Sequence, residues 1–254
     1  MAATQTMHIA HDDIGSGHPA VVLLHGLFED RTYYAAQAQH LSASHRVISI
    51  DLRGHGRSDV PEDGYTVDAL ADDVIRVCQG AGVSSAVFCG HSFALALRVA
   101  VRRPDLAAGV ILLDGVVLMP DAERERLMGF TQVLETDGWR QALLGFFGGV
   151  AAGAVERVRS DIAVVPRVYA VPLLREIASS DNAEELAAAR CPLLYVHSGM
   201  PTDLERLRAL RPDAMVESIP NAGHYAMLTA PEAVNAALDR FLATIPGGGA
   251  ARPR

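Results

Sequence analysis

The chain has 254 residues, half of them apolar and a fifth charged, with a formal net charge of −8. That length suits one domain with an insertion, or a core with a small second lobe, and it can bury enough core to need no disulfide or metal staple. The acidic balance argues against nucleic acid or an anionic membrane surface as the main partner.

Three cysteines, Cys78, Cys89 and Cys191, show no CxxC spacing and read as small buried apolar residues of a reducing compartment. Residues 1–13 have no basic start followed by an apolar stretch, and no apolar run reaches the length of a membrane span. A soluble, cytoplasmic protein is expected. The ten histidines include no HExxH or paired ligand spacing, so neither a metal nor another cofactor is expected.

Along the chain, short β-branched runs alternate with helical patterns, the mark of an α/β fold with a mostly parallel, doubly wound sheet. Residues 7–14 read as an antiparallel edge strand. Val21-Val22-Leu23-Leu24 is apolar without a break, as a strand covered on both faces requires. Similar runs lie at 47–50, 86–89, 110–113 and 193–196, whereas 215–219 alternates more and belongs nearer an edge. Helices are expected at 32–41, 67–79, 92–102, 203–210 and 231–242. The last carries Pro231 near its first position and Glu232 in its first turn.

The stretch between Leu113 and Leu193 holds no strand pattern and reads as helices over 121–134, 138–147, 154–162 and 166–178. It is too long for a plain connection, so a helical lid inserted into the core is expected. The division is then core over 1–118, lid over 119–190, core again over 191–246, and a disordered glycine-rich tail over 247–254.

The strongest local signal is Gly90-His91-Ser92-Phe93-Ala94, where a buried strand runs through a serine straight into a helix. A nucleophile elbow needs this arrangement, because the serine sits on a sharp turn whose neighbours two before and two after must be small. Ala94 stands where a second glycine is usual. Alternatively, Ser92 merely caps the helix. Leu24-His25-Gly26-Leu27-Phe28 is a strand running into a His-Gly turn, where the backbone N–H of Leu27 can pair with that of Phe93 to hold an oxyanion. Asn221-Ala222-Gly223-His224 follows the last strand, and a serine hydroxyl needs such a histidine to take its proton.

These segments, with Arg53-Gly54-His55-Gly56-Arg57-Ser58 between them, resemble the α/β-hydrolase superfamily, in its lidded serine hydrolase branch, across nearly the whole chain. The resemblance implies a third member, an acid that orients His224. Its usual slot, after the strand 193–196, falls on Met200 or Pro201, and the nearby Asp203 reads as the start of a helix. Asp114, directly after the strand 110–113, is the preferred acid, with Asp203 as the alternative and a plain turn role for Asp114 left open. Some branches place the acid there, including cofactor-free quinolone dioxygenases and some lactonases.

The leading expectation is therefore a serine hydrolase acting on an ester, lactone or thioester of an apolar or aromatic small molecule, with Ser92, His224 and Asp114 in the triad roles. Other readings are a cofactor-independent dioxygenase, a carbon–carbon bond hydrolase, and a ligand-sensing protein that signals through its lid. Trp139, Leu143 and Phe146 share one helical stripe. With His25 and Phe28 they are the candidate substrate contacts, although the stripe serves equally to pack the lid.

Overall fold

The computed structural model describes residues 7–150 and 152–246. The tail at 247–254 lies outside the described residues. The strands are β1 (His11–Ile14), β2 (Ala20–Leu24), β3 (Val47–Ile50), β4 (Ala86–His91), β5 (Ala107–Leu113), β6 (Leu193–His197) and β7 (Met215–Ser218). They form one sheet in the order β1-β3-β2-β4-β5-β6-β7. Only β1 runs antiparallel to its neighbour.

The unbroken apolar strands β2, β3 and β4 are buried at every position, because helices cover both faces of the sheet. At the edges, β1 is exposed at all its residues and β7 is partly so. The core helices are α1 (Ala35–Leu41), α2 (Val67–Gly80) and α3 (Leu95–Arg102). In α2 the buried side chains fall at Val67, Leu70, Ala71, Val74, Val77 and Cys78, the spacing of one helical face, and Thr66 caps its start. Five helices form the segment inserted between β5 and β6: α4 (Asp121–Val133), α5 (Trp139–Val150), α6 (Val155–Val164), α7 (Arg167–Ser179) and α8 (Ala183–Ala188). They are followed by α9 (Leu204–Leu210), α10 (Ala226–Thr229) and α11 (Pro231–Leu242). No helix among the described residues is long and apolar enough to cross a membrane.

Because β2 lies between β3 and β4, the chain leaves it first toward one side and later returns on the other. The loops at the carboxyl ends of β2 and β4 therefore part and open a crevice, the usual ligand position of such sheets.

The structure differs from the sequence reading in four places. The edge strand is only four residues long. The helix expected from 92 starts at Leu95, since Ser92 to Ala94 are used in a turn. The helix expected from 32 begins as a 3-10 turn, Arg31–Tyr34, capped by Asp30. The short helices α8 and α10 were not separable from loop by their pattern.

A buried charge cluster anchors the start of this sheet. Asp51 follows β3, is fully buried, and accepts the backbone N–H groups of Arg31 (2.8 Å) and Arg57 (2.9 Å) as well as the Arg31 guanidinium. Removing the carboxylate leaves the buried guanidinium with only the exposed Asp12 as counter-charge and two backbone N–H groups without their acceptor. Asp51→Ala is expected to lower the unfolding free energy by about 3 kcal/mol, read as a shift in the urea midpoint. A loss below about 1 kcal/mol, the scale of an exposed pair, would show that the second Arg31 partner, Asp12, suffices.

Candidate active site

Ser92 stands directly after β4 with a φ of 71°. The Phe93 N–H turns back to the His91 carbonyl at 2.8 Å, closing a three-residue turn around the serine. Such a backbone is costly for a residue with a side chain, and its surroundings must hold it. The loop leaving β5 does so: Ser92 N–H donates to Leu113 O at 3.2 Å, and Val116 N–H donates to Ser92 O at 2.7 Å. Gly90 is needed because a Cβ there would lie 2.9 Å from the Ala96 side chain. At the second small position Ala94 fits, buried at the foot of α3.

His224 lies on the turn after β7, which Asn221 (φ 64°) and Gly223 (φ 70°) shape. Its Nε2 is 3.1 Å from Ser92 Oγ, and its Nδ1 is 2.8 Å from Asp114 Oδ2. Asp114 follows β5 at once, with a φ of 47° and a fully buried side chain. Three successive amides of the loop after β6 turn inward to this carboxylate, those of Ser198 (2.7 Å), Gly199 (2.9 Å) and Met200 (2.9 Å). Burial would raise the carboxyl pKa, but His224 and these amides outweigh it and hold it at about 2. For His224 burial, together with the neighbouring His91, outweighs the pull of Asp114 and sets its pKa below the ordinary histidine value. Asp203 is exposed, and its carboxylate accepts the Arg206 N–H at 2.9 Å as the cap of α9. The structure brings Asp114, and not Asp203, to His224.

The turn after β2 completes the surroundings. The Leu27 N–H finds no acceptor among the described residues. The Glu29 carboxylate reaches back to the Gly26 N–H at 2.8 Å and across to His91 Nδ1 at 2.7 Å. Gly26 cannot be larger, since a Cβ would lie 2.5 Å from Glu29 Oε1 and 2.7 Å from His91 Nδ1. The sequence reading missed Glu29, His91 and the three amides. Glu29 opens a polar stretch, Glu29-Asp30-Arg31-Thr32, and gave no signal of its own; its pairing with His91 joins positions 62 apart.

Ser92 and His224 open onto a cavity of about 30 Å³, and every other residue lining it is apolar, among them Leu27, Val116, Phe146, Phe147, Leu174 and Met200. Of the five expected substrate contacts, Phe146 lines this cavity and the other four do not. His25 is buried, accepts the Leu52 N–H at Nε2 (3.0 Å) and donates from Nδ1 to Gly26 O (2.8 Å), so it pins loops. Leu143 is fully buried and does not line the cavity. Trp139 packs on the Arg140 guanidinium (4.5 Å), which binds carbonyls at the end of α6, so it ties α5 to α6. Helical spacing identified the stripe but not what covers it. Phe28 (φ 69°) meets Phe147 edge-on, with centroids 5.0 Å apart, and lines a neighbouring cavity of about 370 Å³ with His55 and Tyr169.

Known proteins resemble this chain over most of its length. The 2-(acetamidomethylene)succinate hydrolase of Mesorhizobium japonicum is 27% identical over 90% of this chain and 89% of its own length. A thermophilic esterase from Thermogutta terrifontis superposes with a TM-score of 0.76 at 27% identity, covering 95% of this chain and 96% of that one. Est816, described as an N-acyl homoserine lactone degrading enzyme, shares the fold with a TM-score of 0.81 at 23% identity, over 94% of this chain and 98% of its own. Residues 21–237 match the sequence pattern of the alpha/beta hydrolase family. With that match over most of its length, and with the parallel sheet and inserted helices described above, the chain belongs to the alpha/beta hydrolase family.

Proposed function

We propose that the protein is a serine hydrolase that cleaves an ester, lactone or thioester of an apolar or aromatic small molecule. The observation that carries this reading is the continuous path from Ser92 Oγ through His224 to the buried Asp114 carboxylate, at 3.1 Å and 2.8 Å. Ser92 attacks the carbonyl carbon while His224 Nε2 takes its proton. Asp114 holds the Nδ1–H tautomer and stabilises the imidazolium that forms. The N–H groups of Leu27 and Phe93 receive the oxyanion, the latter by leaving the His91 carbonyl. His224 then protonates the leaving group, and water repeats the sequence on the acyl-serine.

The substrate class follows from the cavity. No carboxylate, lysine or arginine lines it, so a neutral apolar acyl portion suits it better than a dicarboxylate. At about 30 Å³ the cavity is too small to admit a substrate. Residues 119–190 accordingly serve as the lid over a core made of 1–118 and 191–246, and α5 with Phe146 and Phe147 must swing aside for entry.

Four outcomes test this. A fluorophosphonate should label Ser92, and Ser92→Ala should lose on the order of a millionfold in kcat on p-nitrophenyl esters; labelling elsewhere, or an active variant, would refute the nucleophile. Steady oxygen uptake would instead identify a dioxygenase, and one slow turnover with partner binding a sensor.

Asp114→Asn should lose on the order of a thousandfold or more in kcat, since the wrong tautomer of His224 is then favoured. Asp203→Asn should lose less than about tenfold, because it alters only a helix cap. The reverse ranking in folded variants would transfer the role to Asp203.

The pH profile of kcat/KM should show an acid limb. His224 is competent only when neutral, and its pKa is lowered, so activity persists below the ordinary histidine value of about 6.5 and falls only at more acid pH. A limb centred above about pH 7 would contradict the environment described here.

Finally, Phe146→Ala should widen acyl tolerance, raising kcat/KM for long acyl esters relative to short ones. Equal changes for both would reduce Phe146 to packing.

A further inference from the structure

Glu29 and His91 take no part in the steps above, yet they are the most deeply enclosed ionisable pair against the reacting groups, with side chains 2% and 0% exposed. Each polar atom of the pair has an assigned partner. His91 Nε2 lies 2.8 Å from the backbone carbonyl of His224, which can only accept, so Nε2 carries a hydrogen. His91 Nδ1 lies 2.7 Å from Glu29 Oε1, and Glu29 Oε2 accepts the Gly26 N–H at 2.8 Å. The His91 ring stands 4.4 Å from the His224 ring, tilted by 36°.

We propose that His91 and Glu29 form a buried imidazolium–carboxylate pair that positions His224 through its carbonyl and keeps the His224 ring neutral between turnovers. The proposal rests on the reading of His224 as the general base. A proton on Nε2 is required by the carbonyl, and a second on Nδ1 by an ionised Glu29, whose other oxygen is held by an amide. Burial by itself would drive His91 toward neutrality, but the Glu29 carboxylate overcomes it and raises the His91 pKa. Burial would likewise raise Glu29, and His91 overcomes it.

The charges facing His224 are few. Asp114 from the end of β5 favours its protonation, as does the more distant Glu29 from the turn after β2, while His91 from β4 opposes it. Tyr225, next in its own loop, packs 5.1 Å away and stays a neutral phenol, its pKa raised by burial. The pair is thus a dipole with its positive end toward the base. His91 and Glu29 are positioning residues: neither touches a reacting atom. Through Gly26 the same carboxylate also ties the oxyanion turn to the elbow.

Glu29→Gln tests this, because the amide can keep both hydrogen bonds, accepting from Gly26 and donating to a now neutral His91. With the positive end gone, the acid limb of kcat/KM should move up by about one pH unit. A role in packing alone would lower the rate at every pH and leave the limb in place, and a folded Glu29→Gln protein with an unmoved limb overturns the proposal. Nitrogen-15 shifts of the unaltered protein give a second reading that needs no variant to fold. His91 should carry protons on both ring nitrogens at pH 8 while His224 is neutral; a neutral His91 there overturns the ion pair. If Ser92→Ala remained active, the hydrolase reading would fall while the nitrogen shifts still decided the state of His91.

Discussion

The Asp114 carboxylate is fully buried and accepts four hydrogen bonds, three from successive amides of the loop after β6 and one from His224. A buried carboxylate without partners is strongly unfavourable, so these donors must come to it wherever β5 places it. The consequence is geometric. The loop after β6 is drawn over the end of β5, and there Gly199 packs against the His224 loop so closely that a Cβ would lie 3.1 Å from its backbone. One anion thereby brings three strand ends together and sets where the imidazole stands. The loop after β6 thus supplies the amides that solvate the carboxylate at the end of β5.

Backbone conformation carries the same signature. Among the described residues, the non-glycine positions with positive φ are Phe28, Ser92, Asp114 and Asn221. They sit on the turns after β2, β4, β5 and β7, all at the carboxyl edge of the sheet. Each costs roughly 1–3 kcal/mol and persists only where its neighbours fix it. For Ser92 the fixing bonds come from Leu113 and Val116, on the same β5 exit that aims Asp114. Strain at the Ser92 turn and satisfaction of the Asp114 carboxylate are therefore parts of one construction.

Much of this was legible in the sequence, and the limits are instructive. Strands buried on both faces announce themselves as unbroken apolar runs, so Val21 to Leu24 and Val110 to Leu113 needed no tertiary information. Asp114 could be preferred over Asp203 because a residue directly after a strand has a fixed backbone, whereas Asp203 begins a helix, where it indeed caps α9. Glu29 and His91 were invisible because a pair is defined by distance, and nothing in the spacing of positions 29 and 91 encodes proximity. The stripe on α5 failed differently. Its periodicity marked a face that is buried at Leu143 and partly buried at Trp139 and Phe146, but of the three only Phe146 lines the cavity at the serine. Which layer covers a face is settled by packing between segments.

The cleft and the machinery behind it are opposites. On the side a substrate would meet, the walls are leucine, valine, phenylalanine and methionine, with almost no free volume. One layer back lie two carboxylates, Glu29 and Asp114, and two imidazoles, all buried. Charges so placed act through a medium of low polarisability, where their influence on a proton at His224 far exceeds what it would be in water. That influence survives only while water stays out, and the helices over Ser92 are what keep it out. An apolar wall is thus an electrostatic device as well as a binding surface. With His224 as the proposed base, every substitution that opens it should weaken the influence of Asp114, His91 and Glu29 on that imidazole, even where it makes room for a larger substrate.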